Sequence, residues 1–179
     1  MSETPDERVT MSAPISERSF SRSLDSPLGP LYAVASLEGL RVLQWRAPAV
    51  ALRPPEAGAE EALLRAVEDQ LAAYFAGERR AFDVPLDPVG TEFQRAAWSA
   101  LRRIPYGETR TYAEQAAAIG RPRAVRAIGA ANGRNPIPII VPCHRVIGSD
   151  GTLTGFAGGL EAKRFLLALE SSREELELR

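Results

Sequence analysis

The sequence predicts an α+β protein, with a small mixed α/β domain first and a helical domain built round a helix-turn-helix second. Three observations point there. Two short apolar runs and one long amphipathic segment fill the first half, three segments with helix-start signals follow Val89, and the charge changes sign between the halves. Residues 1–90 carry 9 Arg against 14 acids, a balance of −5; residues 91–179 carry 13 Lys and Arg against 9 acids, a balance of +4. A chain of 179 residues, 45% apolar and 25% charged, has the composition of an ordinary globular protein and can bury one large or two small cores.

Residues 1–20 are polar, rich in Ser and Glu and interrupted by Pro5 and Pro14, and are expected to be a disordered tail. The first domain is expected over 21–88. Its apolar runs Leu31–Ala35 and Leu40–Trp45, separated by Glu38-Gly39, predict a hairpin. A Pro- and Ala-rich connection follows. In "EEALLRAVEDQLAAYFAG", Leu63, Leu64, Val67, Leu71 and Tyr74/Phe75 recur at helical spacing, and Gly77 closes the helix. "FDVPLDPVG" is a short extended piece ending near a boundary at Val89.

The second domain is expected over 89–172, with 173–179 an acidic tail. "TEFQRAAWSALRRIPYG" opens with Thr91 and Gln94 in a capping-box pattern and carries Phe93, Ala97, Leu101 and Ile104 as its apolar stripe. "TYAEQAAAIG" repeats the device with Thr111 and Glu114 and stops at Gly120. "RPRAVRAIGAANG" has Pro122 where a first helical turn tolerates it and Gly133 as its stop. Two short helices joined by a Gly-containing turn, the second Arg-rich, make the helix-turn-helix. Gln115 to Ser149 contains Arg121, Arg123, Arg126, Arg134 and Arg145 and no acid, a charge pattern suited to a phosphate backbone. The bland reading is a solvated face, although such faces normally mix both signs.

Chemistry is concentrated in "IIVPCHRVIGSDG". The only cysteine, Cys143, stands beside the only histidine, His144. One cysteine excludes an internal disulfide, and one Cys with one His cannot complete a tetrahedral zinc site, so a metal-free protein is expected; separately, no cofactor is predicted. Pro136, Pro138 and Pro142 make "NPIPIIVP" a stiff, apolar, strand-like segment that delivers Cys143 to a defined place. A nucleophilic thiol must ionise, and His144 and Arg145 are at hand to help. In extended backbone the two neighbours point apart, so His144 reaches the sulfur only through a turn or a water. Against this stands the commoner fate of a lone Cys, a small buried hydrophobe.

The segment "NGRNPIPIIVPCHRVIGSDGTLTGFAGGLEAKRFLLALE", with "PCHRV" at its centre, resembles the active-site region of the O6-alkylguanine-DNA alkyltransferases. The likeness extends back through "YGETRTYAEQAAAIGRPRAVRAIGAANGRNP", covering about Thr91 to Glu170, and is looser in "SPLGPLYAVASLEGLRVLQW". It implies a ribonuclease H-like first domain and a winged-helix-like second one. It also implies DNA repair by irreversible, single-turnover transfer of an alkyl group from O6-alkylguanine, and O4-alkylthymine, to the protein's own cysteine after base flipping.

By this resemblance Cys143 is the nucleophile, His144 its base through a water, Glu170 the carboxylate behind the imidazole, and Asn135 the brace of the preceding segment. Without the resemblance Glu170 would be assigned to the acidic tail, and Asn135 to a plain turn. The DNA-binding set is Arg126, filling the place of the flipped base, with Tyr112, Ala127, Gly129, Ala130 and Arg134; small residues let a helix approach the minor groove. These alanines are equally explained as good helix formers. The substrate pocket is implied to consist of Tyr112, Val146, Phe156, Ala157 and Gly158. Phe156 and Ala157 depart from the tyrosine and serine common there, which removes two hydroxyls, and the zinc ligands some members carry are absent. The implied partner is double-stranded DNA carrying alkylated guanine, bound by a monomer, cooperatively or not.

Three rivals remain: a sensor that flips alkylguanine without repairing it, a helix-turn-helix regulator, and a cysteine hydrolase. The sensor relatives replace the cysteine, the regulator leaves "PCHRV" unexplained, and the hydrolase is disfavoured by the sequential Cys-His. No apolar run of about 18 residues and no apolar leader occur, so a cytoplasmic protein without a membrane partner is expected.

Overall fold

A computed structural model describes residues 19–48 and 58–171. The expected tails, apart from Ser19 and Phe20, and most of the Pro- and Ala-rich connection lie outside the described residues. Phe20 itself is already in a strand, one residue before the expected domain start.

An antiparallel sheet runs β1 (Phe20–Leu24), β2 (Leu31–Ala35), β3 (Leu40–Gln44), in that order. The β2–β3 hairpin turns at Gly39, where a Cβ would lie 2.7 Å from the carbonyl oxygen of Pro85. That close approach lets residues 85–87 dock alongside β3, with the Leu40 N–H donating to Pro85 O at 2.9 Å and the Asp87 N–H to Leu40 O at 2.8 Å. The strand β1 was not expected. "FSRSL" is too polar to signal a strand, and its place comes from β2 on one edge and from Arg22, which bonds Glu61 at 2.6 Å and Glu68 at 2.7 Å on the helix above.

That helix, α1 (Ala59–Phe75), buries Leu64, Val67, Leu71 and Tyr74, the spacing of one face, and ends at Gly77 with φ +70°. Each such aliphatic side chain contributes about 1.5–3 kcal/mol when fully buried. Its apolar face closes the sheet into one core that continues through Leu101, Ile137, Ile139 and Val146 into the second half.

The helices of the second half start as the caps require. The first, α2 (Glu92–Leu101), and the second, α3 (Tyr112–Ala118), carry complete capping boxes, Thr91 with Gln94 and Thr111 with Glu114. The third, α4, spans Val125–Gly133. Pro122 was expected in its first turn; it sits instead in the connecting turn, where the Ala124 N–H donates to Arg121 O at 2.8 Å. Trp98 Nε1 donates to Ala131 O at 2.9 Å, and Gln115 exchanges amide hydrogen bonds with Asn132 at 3.0 and 2.7 Å, fixing α4 against α2 and α3. A short parallel pair, β4 (Arg110–Thr111) with β5 (Val146–Ile147), brings the start of α3 beside the Cys143 segment. The last helix, α5, spans Gly159–Ser171.

Candidate active site and nucleic-acid surface

Residues 136–142 are buried, as their apolar composition predicts, but they do not run straight. Ile139 has φ +75°, costly for a β-branched residue, and Pro138 and Val141 bridge across the turn. Asn135 holds this turn from inside: its Oδ1 accepts from the Ile137 N–H at 3.0 Å and its Nδ2 donates to Val141 O at 2.8 Å. The same Nδ2 also donates to Cys143 Sγ at 3.2 Å. The stiff strand expected from the prolines is therefore a compact loop wound on one side-chain amide.

Cys143–Arg145 form a single 3₁₀ turn, so Cys143 and His144 do not stand on opposite sides of a strand. Cys143 is 6% exposed, His144 0% and Glu170 1%. His144 Nε2 lies 2.8 Å from Glu170 Oε1. Glu170, which the resemblance assigns to the site and its neighbours in sequence to the acidic tail, is in the last turn of α5, facing inward. Its two oxygens also accept from Arg145 Nε at 2.8 Å, Arg145 Nη2 at 2.9 Å, Tyr74 Oη at 2.7 Å and the Gly107 N–H at 3.2 Å.

Electrostatics follow from these contacts. Burial alone would raise the Glu170 carboxyl, but the hydrogen bonds from His144 and Arg145 and the Arg145 charge outweigh it and hold the group down at about 2. Burial lowers His144, outweighing the pull of Glu170 in the other direction. The resting imidazole is thus neutral beside an ionised carboxylate. A carboxylate only accepts, so Nε2 carries the proton and Nδ1 presents a lone pair. Nδ1 is buried with no hydrogen-bond partner among the described residues. It is the atom free to take a proton.

Burial pushes the Cys143 thiol up to about 11, against the Asn135 hydrogen bond and the charge of Lys163. This corrects the expectation of a sulfur ionised by its neighbours. Arg145 turns away to Glu170 and to Ile104 O at 2.7 Å, and His144 is uncharged, so the resting sulfur is a protonated thiol. The nearby cation is Lys163, fully buried, donating to Val146 O at 2.6 Å and Thr154 O at 2.8 Å. Sequence reasoning passed over Lys163, yet a signal existed. Among 22 Lys and Arg it is the only lysine, so the chain's single Cys, His and Lys converge on one site. Tyr74, from the first half, carried no signal beyond its core position.

Of the implied pocket residues, Val146 and Phe156 flank this site, and Tyr112 is tied to the loop that carries Phe156. Tyr112 starts α3 and its hydroxyl accepts from Thr154 Oγ1 at 3.1 Å; Val146 is buried; Phe156 stands edge-on to the His144 ring at 6.3 Å; and Ala157 and Gly158 follow it in the loop before α5. On α4, Arg126, Ala127 and Ala130 are exposed to solvent, as is Arg134 just past its end. Gly129 is less exposed than these. It is half-buried beside the Tyr112 ring, where a Cβ would make only an ordinary contact at 3.9 Å.

Two family models match this chain. The 6-O-methylguanine DNA methyltransferase DNA-binding domain covers residues 92–172, and the ribonuclease-like domain of the same family covers 20–88. The chain belongs to the 6-O-methylguanine DNA methyltransferase family. Methylated-DNA–protein-cysteine methyltransferases of Methanosarcina acetivorans and Mycobacterium tuberculosis are similar to it. The first is 54% identical over 149 residues, covering 83% of this chain and 96% of the relative. The second is 53% identical over 161 residues, covering 88% and 95%. A crystal structure of Mycobacterium tuberculosis OGT in complex with DNA matches with a TM-score of 0.78 at 50% identity, over 86% of this chain and 94% of that one. This methyltransferase-family member therefore has the α+β architecture expected of it, a small sheet domain ahead of a helical DNA-binding domain. Among the described residues no helix is long and apolar enough to cross a membrane, and no group of three His, Cys, Asp or Glu is gathered to hold a metal.

Proposed function

We propose that this protein repairs DNA by moving an alkyl group from O6 of guanine to Cys143 Sγ, once per molecule. The observation that carries the reading is the buried series Asn135–Cys143, His144–Glu170, with a neutral imidazole presenting Nδ1. As sulfur attacks the alkyl carbon, His144 Nδ1 takes the thiol proton through a bridging water. The S–C bond forms, the C–O bond breaks, and its electron pair stays on guanine, which ends by accepting the proton. The product is a thioether, which thiol exchange cannot reverse, so the protein is consumed. A thiol held near 11 suits this order of events: the proton leaves as the bond forms, and Lys163 and Asn135 stabilise the developing negative sulfur.

Glu170 keeps the imidazole in the required tautomer and stabilises it as it becomes charged. Held at about 2, it does not take the proton itself. Tyr112 bonds the guanine ring as charge develops on it, and Val146, Phe156, Ala157 and Gly158 wall the base. The reacting atom lies inside the stack, so the nucleotide must be flipped out, and Arg126 fills its place. Ala127 and Ala130 let α4 lie close in the groove, and Arg134 contacts the backbone. O4-alkylthymine fits the same chemistry. The protein acts in the cytoplasm as a monomer of two units, 21–88 and 89–172, the first extended at its start by Phe20 of β1.

Incubation with duplex oligonucleotide containing O6-methylguanine, followed by peptide mass measurement, tests the proposal. A methyl gain confined to the Cys143 peptide, rising to one per protein and absent in Cys143→Ala, is expected. Binding without any gain would establish a sensor instead.

A further inference from the structure

The loop from Thr154 to Gly159, which walls the proposed pocket, is held from three directions. Tyr112 and Lys163 hold Thr154, as described. The third hold comes from the first half of the chain. Trp45, just after β3, lies so close to Gly158 that a Cβ there would sit 2.7 Å from indole Cζ2 and 2.8 Å from Cη2. The same indole meets the Phe156 ring edge-on at 5.6 Å and 71°, and Phe156 in turn meets the His144 ring at 6.3 Å and 81°. Three rings thus form a series from the sheet domain to the base of the transfer site. Trp45 Nε1 is buried without a hydrogen-bond partner among the described residues, so the indole is held by packing. The strand behind it does not yield easily: the Leu43 N–H donates to Pro136 O at 2.8 Å, tying β3 to the loop that presents Cys143.

We propose that Trp45 is a specificity-determining residue, which limits the size of the transferable alkyl group by bracing Phe156 against the His144 side of the pocket. This rests on the alkyl-transfer reading above. With the indole behind it, Phe156 cannot retreat from the imidazole. A methyl group fits under a fixed Phe156 and is held in line with the sulfur; a benzyl group needs the ring displaced. The sheet domain thereby acts on substrate choice without touching DNA chemistry directly.

The test is the single-turnover rate on duplex O6-methylguanine and O6-benzylguanine for the wild type, Trp45→Ala, Trp45→Leu and Trp45→Phe. Opening space behind Phe156 should raise the benzyl-to-methyl rate ratio about tenfold in Trp45→Ala and Trp45→Leu, within the range that one pocket contact commands. Trp45→Phe, which keeps an aromatic edge, should hold the ratio within about twofold, since no hydrogen bond is lost. An unchanged ratio in whichever of Trp45→Ala and Trp45→Leu folds, whether both rates fall together or neither falls, would overturn the proposal. Gly158→Ala should slow both reactions, and adding Trp45→Ala should restore them; failure to restore also counts against it. A wild type that gains no methyl at all would sink the transfer reading instead, which is a separate result.

Discussion

Replacing Glu170 by glutamine probes the hydrogen-bonded centre most directly. The carboxylate accepts from five donors belonging to Tyr74, Gly107, His144 and Arg145, and it is the anion facing both Arg145 N–H contacts. An amide offers one acceptor oxygen and directs an N–H₂ at donors. Two consequences follow. Arg145, 7% exposed at its side chain, is left as a buried cation without its counter-ion, which costs about 3–5 kcal/mol. For a chain of this length that corresponds to a fall in Tm of about 10 °C. An amide N–H₂ facing His144 Nε2 also favours the tautomer with the proton on Nδ1, the wrong nitrogen for a base. Loss of general-base help of this kind costs about 10²–10⁴ in rate. Thermal melting and single-turnover transfer from O6-methylguanine DNA, on the same preparation below its melting range, measure both. Glu170→Gln transferring within about tenfold of wild type would refute the relay. A melting temperature within about 2 °C would refute the claim that Glu170 neutralises Arg145.

Arg126→Ala should slow transfer from duplex DNA far more than reaction with free O6-alkylguanine, because only the duplex needs a residue to occupy the emptied stack; equal slowing on both substrates would remove that role. Acid unfolding should follow the buried groups. Glu170 releases its proton at about 2 when folded and near 4.5 when unfolded, so its contribution, about 3 kcal/mol, is present above pH 4.5 and lost as pH falls towards 2. His144, lowered by burial, adds to the same trend: below its unfolded value of 6.5 the unfolded chain takes up a proton that the folded chain does not. Denaturant titrations at pH 7, 5 and 3 should show stability falling at each step, and a maximum at pH 5 would contradict the assignment.

The sequence determined the features whose signals lie within a few residues of each other. Thr91 with Gln94 and Thr111 with Glu114 marked helix starts, the Leu64–Val67–Leu71 spacing marked a buried face, and Cys143 beside His144 marked the chemistry. The family resemblance added Glu170 and Asn135. Tertiary structure decided what depends on partners distant in the chain. A polar strand such as β1 exists only because β2 and α1 accept it. Tyr74 reaches Glu170 across 96 positions, and Lys163 reaches Val146 O across 17. Above all, adjacency of Cys143 and His144 suggested an ionised sulfur, whereas their shared burial keeps the thiol protonated and the imidazole neutral. A titration is set by dielectric and by charges arriving from every packed element, and no stretch of sequence carries that sum.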